Sequence, residues 1–247
     1  VSVTATFSEN VPVTGTPQLT LVVGSVNQPA PYASSDNSTT LVFQYTIQAG
    51  DNDTNGISIG ANTLALNSGT IRDAAGNNAT LTYSEVSANS SYKVDTTAPT
   101  ANFTAATDNV GTRTGALTSG NTTDDTALVL SGTNESGSSV KVYNGSTEFG
   151  AATVSGTSWT YSATVANGTT YQFNVKETDL AGNTSAATSN FAVTGDATAP
   201  TLAETTLVPS FTNDNSTQYT FSSSEGGTIS VGGSCSSDNN TAVADNM

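Results

Sequence analysis

Oxygen donors recur at fixed spacing along this chain of 247 residues. Asp73-Ala-Ala-Gly-Asn77 precedes Asp95-Thr-Thr-Ala-Pro-Thr100, and Asp179-Leu-Ala-Gly-Asn183 precedes Asp196-Ala-Thr-Ala-Pro-Thr201. Carboxylates, amides and loop carbonyls suit Ca²⁺, which takes roughly six to eight oxygens in forgiving geometry. Other chemistry is removed by inventory. There is no His and a single Cys, so Ser–His and Cys–His nucleophiles are absent and zinc or redox metals lack ligands. Asp124 and Asp125 could be read as a glycosidase pair. Neighbours on a strand point to opposite faces, however, and no aromatic cleft accompanies them. The expectation is a non-enzyme with structural Ca²⁺.

Charge narrows the partners. Asp and Glu number 20 against 5 Lys and Arg, a formal charge of −15. Arg72, Lys93, Arg113, Lys141 and Lys176 are scattered singly, so no basic patch faces a phosphate backbone and nucleic-acid binding is excluded. No run of about 20 apolar residues is present to insert directly into a membrane. Cys235 is either a small buried residue or half of a pair whose partner lies beyond Met247. Asn-x-Ser/Thr sequons (Asn37, Asn52, Asn78 and Asn134 among them) recur as chance supplies in so Asn-, Ser- and Thr-rich a chain.

The elements that must position these donors read as strands. Alternation runs through Val3/Ala5/Phe7, Leu19/Leu21/Val23, Leu41/Phe43/Tyr45/Ile47, Ile57/Ile59 and Leu64/Leu66, each bounded by Gly, Pro, Asn or Asp. The same period continues in Leu128–Leu130, Val140/Val142, Trp159/Tyr161/Val165, Tyr171/Phe173/Val175 and Phe191/Val193. No 3.6-residue stripe appears. The fold class is all-β: tandem immunoglobulin-like antiparallel β-sandwiches, arranged as beads on a string. The Asp-x-Thr-Ala-Pro-Thr elements lie 101 residues apart, which divides the chain into 1–94, 95–195 and a partial 196–247. The first domain lacks a first strand, the third lacks the residues to close a sandwich, and both ends read as cut from a longer polypeptide. Trp159 is expected in the core, and Tyr171, after the turn at Asn167, in a tyrosine corner.

Sandwich geometry gathers the acids at two ends. The loops Asn134-Glu-Ser-Gly137 and Asp179–Asn183 should sit together beside the incoming Asp95, with Gly182 letting Asp179 and Asn183 close on each other. The long polar stretch 107–126, holding Asp108, Asp124 and Asp125, should lie at the other end beside Asp196. Crowded carboxylates repel, and a divalent ion turns that repulsion into a clamp. Asp51-Asn-Asp53 is a weaker pair of the same kind.

Thr123-Asp-Asp-Thr126, Leu130-Ser-Gly-Thr133, Ser139-Val-Lys-Val-Tyr143, the Trp159 strand and Glu177-Thr-Asp-Leu-Ala-Gly-Asn-Thr-Ser185 together resemble a bacterial Ig-like repeat of large surface adhesins, biofilm-associated and RTX-type. Thr4-Ala-Thr-Phe-Ser-Glu9, Tyr45-Thr-Ile-Gln-Ala-Gly-Asp51 and Asp73–Asn77 are similar to a second repeat type of surface and S-layer-like proteins. The region after Asp196 resembles a third type, in which a further Cys commonly follows and would pair with Cys235. The resemblance implies an extracellular or cell-surface stalk, with neighbouring Ig-like domains of the same chain as partners. It also implies calcium-stiffened joints, with Asp95, Asp108, Asp125, Asp179 and Asp196 as ligands; the turn adds Asn183. The alternatives are a fibre or surface-layer subunit completed by strands of other copies, a module binding glycan or protein, and an accessory domain of a secreted hydrolase.

Overall fold

The computed structural model describes residues 1–34, 38–206, 220–228 and the single positions 211, 213, 230, 241 and 242. No helix occurs among the described residues; every regular element is a strand. The chain forms two compact units. The first holds Val1–Thr104, Ser131–Tyr161 and Phe173–Asn190, and the second Ala105–Leu130, Ser162–Gln172 and Phe191–Met247.

The N-terminal strands are β1 (Ser2–Val11), β2 (Val13–Thr14), β3 (Gln18–Val23), β4 (Val26–Ser34), β5 (Ser38–Gln44), β6 (Asn52–Asp53), β7 (Leu64–Ala65), β8 (Thr70–Ile71) and β9 (Val94–Asp95). Their main sheet runs β1-β5-β4-β3-β7, with β2–β8 and β6–β9 as short pairs. Alternation does what the sequence predicts. Leu19, Leu21 and Val23 of β3, with Leu41 and Phe43 of β5, form one buried face with Val11, Ala30 and Ile71. Pro29 and Pro31 fall in the half of β4 paired with β3, whereas β5 meets β4 at Tyr32 and Ser34. Proline's missing N–H is tolerated on such an edge.

Then follow β10 (Asn102–Asp108), β11 (Gly115–Ala116), β12 (Asn121–Thr123), β13 (Ala127–Thr133), β14 (Ser139–Asn144), β15 (Thr147–Ala151), β16 (Thr153–Ser155), β17 (Ser158–Thr164), β18 (Thr170–Thr178) and β19 (Phe191–Gly195). They form two five-stranded sheets, ordered β11-β10-β13-β17-β16 and β12-β19-β18-β14-β15. The pairs β10–β11, β14–β15, β14–β18 and β16–β17 are antiparallel, whereas β12 and β19 pair in parallel from Asn121↔Val193 to Thr123↔Gly195. In the region expected to hold a partial third domain, β20 (Leu202–Thr206) pairs with β21 (Thr220–Ser223), and β22 (Gly227–Thr228) with β23 (Thr241–Ala242). Tyr219, Ile229, Val231 and Cys235 lie outside the described residues.

Two aromatic anchors hold as the sequence suggests. Trp159 is 1% exposed and lies beside Phe103 with centroids 5.9 Å apart, and its indole N–H donates to Asn102 O at 3.0 Å. Gly132 makes room for that ring: a Cβ there would lie 2.6 Å from Trp159 Nε1 and collide with Asn102 O. Tyr171 is buried and its hydroxyl oxygen accepts Ala166 N–H at 3.1 Å, five residues upstream, as in a tyrosine corner.

Trp159→Ala should therefore cost about 3–5 kcal/mol, the usual loss for truncating a fully buried aromatic. Gly132→Ala should also destabilise, because the indole has no room to retreat. Thermal melts followed by circular dichroism check both, and a Gly132→Ala protein as stable as wild type would refute the close fit.

Candidate functional site

The two Asp-x-Ala-Gly-Asn loops close in one geometry. Asp179 Oδ1 accepts Asn183 N–H at 2.8 Å and Oδ2 accepts Asn183 Nδ2 at 2.9 Å, while Asp179 N–H donates to Asn183 O at 3.0 Å. Asp73 repeats this with Asn77 at 2.8, 2.7 and 3.0 Å. Gly182 and Gly76 take φ of +94° and +93°, the left-handed conformation the turn requires. In each loop the side-chain amide of the asparagine is the main reason the carboxyl titrates below its ordinary value.

The predicted first cluster is partly assembled. Asn183 Nδ2 also donates to Asp95 O at 3.1 Å, which brings Asp95, Asp179 and Asn183 together. Asp95 Oδ1 accepts Thr97 N–H at 2.9 Å. The loop 134–137 comes up against Leu180, since a Cβ on Gly137 would lie 3.0 Å from its Cδ1. That loop is held by a residue absent from the predicted set. Glu177 is fully buried, and its Oε1 accepts Glu135 N–H at 2.5 Å and Ser138 Oγ–H at 2.6 Å. Its Oε2 and Asn134 Oδ1 receive no donor. The signal was present in the strand: Tyr171, Phe173, Val175 and Glu177 fall on one face at period two.

The second cluster is organised by Thr123, 4% exposed. Its hydroxyl donates to Asp108 Oδ2 at 2.7 Å and accepts Asp125 N–H at 3.1 Å, and its carbonyl accepts Asp196 N–H at 2.8 Å. Asp108 Oδ1 accepts Val110 N–H at 3.0 Å; Asp125 accepts Ala127 N–H at 2.8 Å and Asn109 N–H at 3.2 Å. Both carboxylates are buried. Asp124 stands apart, folded over Gly111. Asp196 Oδ1 accepts Thr198 N–H at 3.3 Å.

Asp51 and Asp53 are buried in the same manner. Asp51 accepts Tyr45 O–H at 2.6 Å, Gln48 N–H at 2.8 Å and Gln28 Nε2 at 3.0 Å. Asp53 accepts Gly56 N–H at 2.7 Å, Gly24 N–H at 2.8 Å and Asn55 N–H at 3.2 Å. The Tyr45 hydroxyl is the leading cause holding the Asp51 carboxyl below its ordinary value, and burial leads in pushing Tyr45 up to about 12. Among the described residues, no three Asp, Glu or Cys side chains come together as a metal-holding group, and the one ion pair, Lys141–Glu148 at 2.9 Å, is exposed. A groove of about 460 Å³ beside the Asp73 loop, lined by Thr6, Ser8, Glu9, Asn77 and Asn78 among others, is polar and open.

Strand order and loop geometry define an immunoglobulin-like β-sandwich. Residues 95–197 are similar to the bacterial Ig-like domain, whose family model they match; this domain type occurs in surface proteins and is typically non-enzymatic. No curated protein matches the chain.

Glu177→Ala should cost about 1–3 kcal/mol by removing the acceptor of the part-buried Glu135 N–H, while the Ser138 hydroxyl keeps Glu135 O as an acceptor at 2.8 Å. Glu177→Gln keeps an acceptor and removes the charge, so it should cost less; urea titrations of the two variants compare them. Titration of the Asp51–Tyr45 pair sets two limits. Asp51 has a lowered folded pKa, so its contribution is present above about pH 4 and lost as pH falls through the folded value. Tyr45 is raised, so its contribution is present below its ordinary value of 10.0 and lost as pH rises through about 12. In urea titrations across pH, Tyr45→Phe should remove the alkaline decline and soften the acid one; an unchanged pH profile would count against the pair.

Proposed function

We propose that this chain is a spacer segment of a large bacterial surface adhesin, holding length under tension through tandem Ig-like sandwiches. The supporting observation is the parallel pairing of β12 with β19. Strand β12 lies on the incoming side of the 95–197 region and β19 ends next to the outgoing Asp196. Opposite pulls on the two ends drive parallel neighbours past each other along their length. Their hydrogen bonds then share the force in shear instead of opening one at a time. The bond from Asp196 N–H to Thr123 O at 2.8 Å extends the same ladder into the linker.

Calcium at the joints belongs to this proposal. Asp95, Asp179 and Asn183 would serve one joint and Asp108, Asp125 and Asp196 the other. Each carboxylate retains lone pairs beyond the hydrogen bonds it accepts, and the formal charge of −15 attracts cations.

Single-molecule stretching of the whole chain tests both parts. The sandwich containing β12 should give a distinct high-force event, and Thr122→Pro, which deletes an N–H from β12, should lower that force. Rupture at the same force in the variant would sink the shear reading. The trace should be stiffer at low extension in Ca²⁺ than in EDTA. Identical traces would remove calcium and leave the spacer resting on the sandwiches alone.

A further inference from the structure

Both Asp-x-Thr-Ala-Pro-Thr segments are gripped by an asparagine in the same atomic pattern. Asn52 Oδ1 accepts Thr96 N–H at 3.0 Å while its Nδ2 donates to Thr97 Oγ1 at 2.7 Å. Asn167 Oδ1 accepts Ala197 N–H at 2.9 Å while its Nδ2 donates to Thr198 Oγ1 at 2.7 Å. Counted from the aspartate, the contacted atoms are identical: the N–H of the second residue and the hydroxyl of the third. In both segments the aspartate Oδ1 also accepts the N–H of that third residue, at 2.9 Å for Thr97 and 3.3 Å for Thr198.

The match does not come from local sequence. Asn52 sits in Gly50-Asp51-Asn52-Asp53, 43 residues before Asp95, and Asn167 in Ala166-Asn167-Gly168, 29 before Asp196. Their backbones are engaged differently too: Asn52 pairs with Asp95 in β6–β9, whereas Asn167 bridges Gly195 in parallel. Two unlike loops converge on one grip. An asparagine amide fits it because it offers one acceptor and one donor in a fixed plane.

We propose that Asn52 and Asn167 are positioning residues of a metal-independent clamp that fixes the linker where it leaves each sandwich. The inference is independent of the spacer reading. It gives the aspartate, the third-position threonine and the proline of the repeated segment a task each. The aspartate closes a turn on the third residue, threonine supplies the clamp hydroxyl, and proline holds the preceding Ala98 or Ala199 extended.

Amide hydrogen exchange on the full chain, read residue by residue by NMR, tests this. Thr96 and Ala197 should be protected in the wild type. Asn52→Ala should speed Thr96 exchange about tenfold and spare Ala197, and Asn167→Ala should do the reverse, the change expected for losing one local hydrogen bond. Strand β3 and β5 amides report that the N-terminal sheet is intact, and β13 and β18 amides do so for the sheets around Asn167. Thr97→Val keeps the shape and removes the hydroxyl, and should couple non-additively with Asn52→Ala. EDTA should leave wild-type exchange at both amides unchanged. Exchange at Thr96 unaffected by Asn52→Ala would overturn the clamp, as would EDTA reproducing the effect of that variant.

Discussion

A carboxylate that folds inward here finds almost no basic side chain of the same protein to meet it. The chain has 20 acidic side chains and 5 basic ones, and none of the basic residues is buried. Lys141 meets Glu148, Lys176 lies over the Tyr143 ring, and Arg72 donates to Asn78. Asp51, Asp53, Asp108, Asp125 and Glu177 are therefore buried against backbone N–H groups and hydroxyls. Such donors are fixed to the chain, so each carboxylate dictates the path of the loop that supplies them. Loop shape in this protein follows from where its acids sit.

That constraint explains why one turn recurs at two places in the chain. The loops at Asp73 and Asp179 follow different flanking sequences yet agree atom for atom, because an Asp and an Asn four residues on, with a glycine between, satisfy each other completely. Nothing outside the loop is needed. Asn183 goes further than Asn77 by reaching Asp95 O as well, so a self-contained turn also becomes an attachment point for the incoming chain.

The strand alternation, the buried Trp159, the tyrosine corner and the closed Asp–Asn turns were all legible in the sequence, because each is set by neighbours or by period two. Glu177 was legible only by its period, on the face of Tyr171, Phe173 and Val175; its charge reads as solvent-exposed until its partners, 39 and 42 residues away, are known. Thr123 was visible only as part of a motif, and its role depends on meeting residues from 108 to 196. The asparagine grips on the linkers were illegible for the same reason. Their partners lie 30 to 45 residues away, and no shared local sequence marks them. Long-range pairing is where reading from composition and period ends.

Packing Trp159 under Gly132 has an optical consequence. It is the only tryptophan in the chain, and the N-terminal sheet carries tyrosine and phenylalanine alone. Emission excited at the red edge of the protein band thus reports on the surroundings of a single indole, shielded from solvent and next to Phe103. The natural sequence is already a singly labelled protein. Its dye sits against Phe103 and the Asn102 carbonyl, so its emission follows the packing of that contact.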